Sequence, residues 1–435
     1  MSQTLDDVAR QLKDTNKKVQ LIYAFNGVGK TRLSRAFKAL TAPGYDGEET
    51  EEDAESATLS RDKILYYNAF TEDLFYWDND LLADAEPKLK IQPNTFTDWL
   101  ITLLEELGED ANIAANFQRY TDSNVNPVFN GKYKETIKNF NGKEVRTTIT
   151  TFSNVSFQVA VDSPNEVNYS SNLENGKLSE VQGKYKAIKI SKGEESSFIW
   201  SMFFTLLQQV ILTLDETKEE DRVTDKFNNL EYIFIDDPVS SLDDNHLIAL
   251  AVDLADLIKT SRYVSGKGLR FIVTTHNPLF YNVLFNELSN DLERVYSDNT
   301  KKKLYKRSQS KKYRLQKKID GSFELLDSND HPFSYHLFLL SELRSAIEIN
   351  QIKKFHFNFL RNILEKTATF LGYSRWQDLL EKTADGIPDP FVGRILNLYS
   401  HSAYAGLEIA EIEDQDKERL AQLVSFLSET YHFKK

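Results

Sequence analysis

Leu21-Ile-Tyr-Ala-Phe-Asn-Gly-Val-Gly-Lys-Thr31 is an apolar run, then a glycine-rich turn, then a lysine and a threonine. Leu21 to Tyr23 predicts a buried strand. Gly27 and Gly29 let the chain turn tightly with its amides pointing inward, and Asn26 and Val28 complete the loop. Such a loop cradles phosphate. Lys30 reaches the terminal phosphates, Thr31 can hold Mg²⁺, and the helix opening near Arg32 adds its positive end. Ala24 stands where such loops usually carry their first glycine. That change is small, and Asn26 to Thr31 keeps the residues that touch phosphate. The stretch therefore implies an α/β domain that binds a nucleoside triphosphate, ATP or GTP. The residues that choose the base have no readable signature.

Downstream segments supply the partners in order. Tyr232 to Ile235 predicts a second buried strand that ends in two carboxylates. Asp236 is expected to bind the Mg²⁺ through water, and Asp237 to polarise the attacking water, where a glutamate is more common. The following Pro238-Val-Ser-Ser-Leu-Asp243 resembles the D-loop of ABC-type ATPases. Phe271-Ile-Val-Thr-Thr-His276 is a third strand ending in a histidine, where that class senses the γ-phosphate. Ile190-Ser-Lys-Gly-Glu-Glu195 resembles a relaxed ABC signature, with Ser191, Gly193 and Glu194 at the start of a helix running to Leu214. An ordinary helix cap would use the same residues. This class binds nucleotide between two subunits. One copy of each motif predicts a head-to-tail homodimer, or a larger assembly of such dimers.

The chain has 435 residues, 40% of them hydrophobic and 12% aromatic, and no cysteine. Length and composition predict two or three globular domains. The missing cysteines exclude disulfides and cysteine zinc sites, and fit a cytoplasmic protein. The N-terminus lacks the pattern of a signal peptide. No run of about 18 apolar residues is evident, so no membrane span is expected. A net charge of −13 argues against broad adhesion to nucleic acid.

Residues 3–19 read as a short polar helix or arm, and 48–55 as an acidic loop. Phe70-Thr-Glu-Asp-Leu-Phe-Tyr-Trp-Asp-Asn-Asp80 mixes aromatics with carboxylates. It reads either as a satellite core or as a binding surface. Leu89 to Leu107 and Glu109 to Phe117 predict helices, and the alternation over 128–190 predicts antiparallel strands. Sustained heptads are missing, which excludes a long coiled coil. Helices are also expected over 247–260 and 280–289. Residues 301–318 hold ten basic residues, two tyrosines and no acid. They predict a polyanion-binding surface on which Tyr305 and Tyr313 stack on bases. From Ser334 onward the pattern is helical.

In that tail Arg361 and Glu365 lie four apart, on one helix face. His401 follows a predicted helix in Asn397-Leu-Tyr-Ser-His-Ser402. An arginine, a glutamate and a histidine suffice for metal-free RNA cleavage: one accepts the 2′-hydroxyl proton, another protonates the leaving 5′-oxygen, and the cation stabilises the phosphorane. Arg344 and Glu348, followed by His356, form a rival set.

The whole chain resembles the PrrC-type anticodon nucleases, a family of bacterial tRNA-cleaving toxins. The resemblance rests on Gln20 to Arg35, on the segment around Phe75 to Asp80, and on Ile235 to Asp243. It implies an ABC-type P-loop ATPase domain over 1–290 with an inserted mixed α+β lobe at about 41–189. A mainly α-helical RNA-binding and nuclease domain over 291–435 follows. The family's catalytic arginine, glutamate and histidine map best onto Arg361, Glu365 and His401. The resemblance further implies a lysine tRNA as substrate, cut next to the wobble base. It also implies latency in a type I restriction–modification complex and release by a phage-encoded activator. The alternative is an ABC-type ATPase subunit of a defence or DNA-repair complex with no nuclease activity of its own.

Overall fold

The computed structural model describes residues 3–41, 63–68, 74–78, 87–92, 95–140, 143–160, 172–174, 177–179, 185–238, 244–295, 301–318, 320–328, 335–382, 386 and 412–433. The acidic run, most of the aromatic-acidic segment, loop 239–243 with Asp243, and segment 397–402 with His401 lie outside these residues.

The chain divides into two compact units, residues 1–332 and 333–435. The first is built on a six-stranded sheet. Its order is Phe323–Asp327, Ser310–Lys317, Val19–Tyr23, Arg270–Thr275, Tyr232–Asp236, Ile64–Tyr67. All neighbours pair in parallel except the first two. Parallel strands covered on both faces read as near-continuous apolar runs, and Val19–Tyr23 and Tyr232–Asp236 are buried at every position, with the buried Gln20 amide donating to the Leu12 carbonyl at 2.8 Å. Helix Lys30–Thr41 packs Leu33 and Phe37 against one face, where Phe37 meets Tyr232 edge-on at 5.1 Å. Helix Leu5–Asp14 buries Leu5, Val8, Ala9 and Leu12 in the same core. The expected short polar helix or arm is thus a helix, and an amphipathic one.

A second sheet joins Phe75–Asp78, Lys88–Ile91, Lys143–Ala160 and Asn126–Phe140, with Tyr185–Ile188 on the long strand. Its strands pair antiparallel, as the alternation over 128–190 predicts. Lys88–Ile91 is a strand rather than the start of a helix, because only Leu89 and Ile91 turn inward. The helix there begins at Thr95.

Helix Lys192–Asp215 is long and apolar enough, by length and composition alone, to cross a membrane. Its most apolar window is 78% buried inside the protein, so its apolarity serves a core. Ser197, Ser201 and Thr205 are buried too, and each hydroxyl donates to the carbonyl four residues earlier. That ladder satisfies them within the helix.

The predicted boundary at 290/291 moves. Strand Ser310–Lys317 pairs directly with Val19–Tyr23 and places the basic segment in the first unit. The second unit packs helices Tyr335–Glu348, Lys354–Leu371 and Asp414–Thr430 around Leu340, Leu343, Leu360, Leu364, Val424 and Leu427.

Candidate functional site

Strand register brings the motifs together. Tyr23 lies beside Thr275, and Thr274 beside Asp236. Three parallel strands therefore end level: the phosphate loop leaves the first, the two aspartates end the second and His276 ends the third. Ligands of open α/β sheets bind at such carboxyl ends. The loop is tied across by Ala24 N–H donating to the Thr275 carbonyl at 2.9 Å. Gly27 and Gly29 have φ of +79° and +109°, which a side chain would strain. Lys30 opens the helix with its ammonium folded back over the loop. Its Nζ donates to Asn26 Oδ1 at 3.1 Å and to the Ala24 carbonyl at 3.3 Å.

Thr31 Oγ1 donates to Asp236 Oδ2 at 2.8 Å, and Thr274 Oγ1 to Asp236 Oδ1 at 2.5 Å. Burial pushes the Asp236 carboxyl up, and the two hydroxyl bonds offset this only in part. Two facing hard oxygens fit the Mg²⁺ that accompanies a nucleotide. Asp237 has a left-handed backbone, φ 54°, and its carboxylate lies between Lys30 Nζ, at 3.5 Å, and the His276 ring, which hydrogen-bonds it through Nδ1. Burial alone would raise Asp237. The His276 bond and the Lys30 charge outweigh it and hold the group below the ordinary carboxylate range. Asn277 then caps the next helix through the Leu279 and Phe280 amides. Lys30, Thr31, Asp236, Asp237 and His276 are thus assembled in one chain, and Arg32 is exposed beside them. Thr274 was missed from the sequence; its only signal is a hydroxyl at the end of a buried strand.

Ser191 and Glu194 form a reciprocal capping box. The Glu194 amide donates to Ser191 Oγ at 3.2 Å, and the Ser191 amide to Glu194 Oε2 at 2.7 Å. Both side chains are engaged, which leaves the first-turn amides of Lys192 and Gly193 as the groups suited to a phosphate. Trp77 of the aromatic-acidic segment donates its indole N–H to buried Glu195 at 2.9 Å. Sequence reading did not anticipate that link.

The base-stacking role expected of Tyr305 and Tyr313 is overturned. Both are buried, and Tyr305 donates to the Leu288 carbonyl at 2.9 Å. Lys312 is buried as well, on Ser289. Lys303, Lys311 and Lys318 pair with Asp291, Asp327 and Glu324. Exposed cations of the run are Lys301, Lys302, Lys303, Lys306, Arg307, Lys317 and Lys318.

In the second unit Arg361 Nε meets Glu365 Oε1 at 2.8 Å, with side chains 23% and 45% exposed. Of the rival set, His356 is buried and accepts the Lys353 amide on Nδ1 at 2.8 Å, and Arg344 donates to Ser428 at 2.9 Å. That histidine is a helix cap.

Residues 162–428 match a family model described as an AAA domain. A solved structure described as "Crystal structure of the SmcHead bound to the C-winged helix domain of ScpA" aligns with 72% of this chain and 90% of that one. The identity is 11% and the TM-score 0.28, too low to bear on the fold. A curated Escherichia coli protein named "Anticodon nuclease" is 43% identical over 455 residues, spanning 100% of this chain and 98% of that protein. Identity at that level, sustained from end to end and joined to an assembled phosphate site, places this chain in the anticodon nuclease family.

Proposed function

We propose that the chain is a nucleotide-gated tRNA anticodon endoribonuclease. The observation that carries this reading is the 43% identity to a protein named "Anticodon nuclease", because it spans both the ATPase unit and the helical unit. In the first unit Lys30 holds the terminal phosphates, and Thr31 and Asp236 hold Mg²⁺. The ion, when bound, offsets charge on the β- and γ-phosphates. Asp237 orients the attacking water, and His276 fixes Asp237 and meets the γ-phosphate. Ser191, Gly193 and Glu194 start the helix that faces a nucleotide held by Lys30 of a second copy, in a head-to-tail homodimer.

In the second unit Arg361, Glu365 and His401 cut the RNA without a metal. Of Glu365 and His401, one takes the 2′-hydroxyl proton as that oxygen bonds to phosphorus. The other gives a proton to the 5′-oxygen as its bond to phosphorus breaks. The products are a 2′,3′-cyclic phosphate and a 5′-hydroxyl. Arg361 stabilises the extra charge between these steps. The family resemblance extends the proposal to a lysine tRNA cut beside the wobble base. It also extends it to an antiphage toxin held latent by a type I restriction–modification complex and released by a phage-encoded activator.

Incubation of total tRNA with the wild-type chain and with His401→Ala tests the proposal. Wild type should cleave a discrete tRNA and the variant none. Equal cleavage by both removes His401 from the cutting residues, and none by wild type in the presence of nucleotide leaves an ATPase subunit without its own nuclease.

A further inference from the structure

We propose that the nucleoside end of the bound nucleotide occupies the cavity between the start of helix Leu5–Asp14, the helix Lys30–Thr41 and the turn at 320–322, where Asp6 and Asp320 select the base. The proposal rests on the nucleotide reading above and adds the part of the site that the phosphate motifs leave open. Lys30, with Asp237 and His276 beside it, marks the terminal phosphate. The amides of Thr31 and Arg32 begin the helix, further from that end, so the α-phosphate lies toward Arg32 and the nucleoside beyond it. A cavity of about 480 Å³ lies there, lined by Asp6, Arg32, Ala36, Asp320 and Ser322 among others. That volume suits a small-molecule site. It shares a wall with the phosphate loop, because Leu5 and Phe323 come within 3.5 and 3.8 Å of the position a Cβ on Gly29 would take.

The walls are braced. Gln3 and Phe323 exchange two backbone hydrogen bonds, at 2.8 and 3.3 Å. Thr4 and Asp7 close a capping box, which consumes Asp7 and leaves the neighbouring Asp6 exposed. Asp320 Oδ1 accepts both the amide and the hydroxyl of Ser322, at 2.9 and 2.6 Å. That pair fixes the carboxylate in place and leaves Oδ2 for a ligand. Carboxylates only accept hydrogen bonds. Two of them favour a base edge that presents N–H groups and disfavour one that presents a bare ring nitrogen. Arg32, across the cavity, suits the ribose hydroxyls and the α-phosphate.

The test is a titration of the full-length chain with the Mg²⁺ complexes of ATP, GTP, CTP and UTP, and with inorganic tripolyphosphate, which samples the phosphate loop alone. Wild type should discriminate among the four bases. Asp6→Asn and Asp320→Asn should each change the ratio of best to worst affinity by about tenfold or more, and leave tripolyphosphate affinity unchanged. Ala36→Trp, which adds bulk to the cavity wall from a half-buried position, should weaken every nucleoside triphosphate and spare tripolyphosphate. Unchanged ratios in both aspartate variants, a parallel loss of tripolyphosphate, or no discrimination by wild type overturns the proposal. Failure of wild type to bind any triphosphate, or Lys30→Ala binding as tightly as wild type, overturns the nucleotide reading beneath it.

Discussion

Asp237 combines an unusual backbone with a central position. A left-handed φ is rare for residues with a Cβ, and aspartate tolerates it better than glutamate does. The left-handed turn at 54° thus accounts for a shorter acid where a glutamate is more common. Asn shares that tolerance, so Asp237→Asn should fold, bind nucleotide and slow hydrolysis by about 10²-fold or more. Lys30→Ala should instead lose tight binding, since the loop then has no ammonium for the phosphates. Parallel binding and turnover assays separate the two; hydrolysis by Asp237→Asn within about threefold of wild type removes Asp237 from the water-orienting role. Lys18 sets a different kind of expectation. It is fully buried, its Nζ donates to the Lys259 and Ser261 carbonyls at 3.0 and 2.6 Å, and the Tyr305 ring lies 5.7 Å away. Burial lowers it to about 7, and likewise lowers Lys312 to about 8. Above these values the folded chain has shed protons that the unfolded chain keeps up to about pH 10.4. These lysines therefore make stability rise between about pH 7 and pH 10. Lys18→Met should flatten that rise in thermal melts; an unchanged slope assigns it to other groups.

Among the elements, the helix Lys192–Asp215 is held at its start from outside itself. Glu195 is 3% exposed and accepts from Trp77 and from Lys192, the latter at 2.6 Å. Trp77→Phe keeps an aromatic ring near Phe157 but removes the indole donor. Leaving a buried acceptor short of a partner costs about 1–3 kcal/mol. The first-turn amides of this helix should then exchange hydrogen roughly tenfold faster by mass spectrometry, and equal protection would show that the capping box alone holds the turn. The strands around the site were legible because a parallel strand covered on both faces reads as an unbroken apolar run, and its polar end residues are the functional ones. The basic segment was misread because a count of lysines does not say which way each points. In Ser310–Lys317 the inward positions include Tyr313 and Leu315, and strand pairing decides that they face a core. Lys88–Ile91 was misread for a related reason, since four alternating residues beside a longer helical pattern carry little weight. The base-side cavity had no sequence signal at all, because its walls come from residues 3–6, 32–36 and 320–323.

At the scale of the whole molecule, the assembly and the two chemistries can each be separated. Gly193 lies in the first turn of a helix, where an added Asp is tolerated beside the positive end. Gly193→Asp should therefore fold and block only the face it presents to a partner. Mixing it with Lys30→Ala chains should restore part of the nucleotide hydrolysis, because one composite site in each mixed dimer is intact. No recovery in confirmed mixed dimers removes the head-to-tail arrangement, or requires both sites to fire. The nuclease prediction draws on the division into two compact units. Arg361 and Glu365 belong to the second unit, and Lys30, Thr31, Asp236 and Asp237 to the first. A half-exposed ion pair such as Arg361–Glu365 contributes about 0.2–1 kcal/mol. Arg361→Ala should therefore leave the unit folded, with its Leu340, Leu360 and Leu427 core untouched. It should abolish tRNA cleavage while nucleotide hydrolysis continues at the wild-type rate. Arg344→Ala is the matched control, because Arg344 lies in the same unit and is engaged with Ser428 instead. If Arg344→Ala stops cleavage and Arg361→Ala does not, the cutting residues lie on helix Tyr335–Glu348 instead. Loss of both activities in Arg361→Ala would mean that the pair transmits nucleotide state and does not act on RNA.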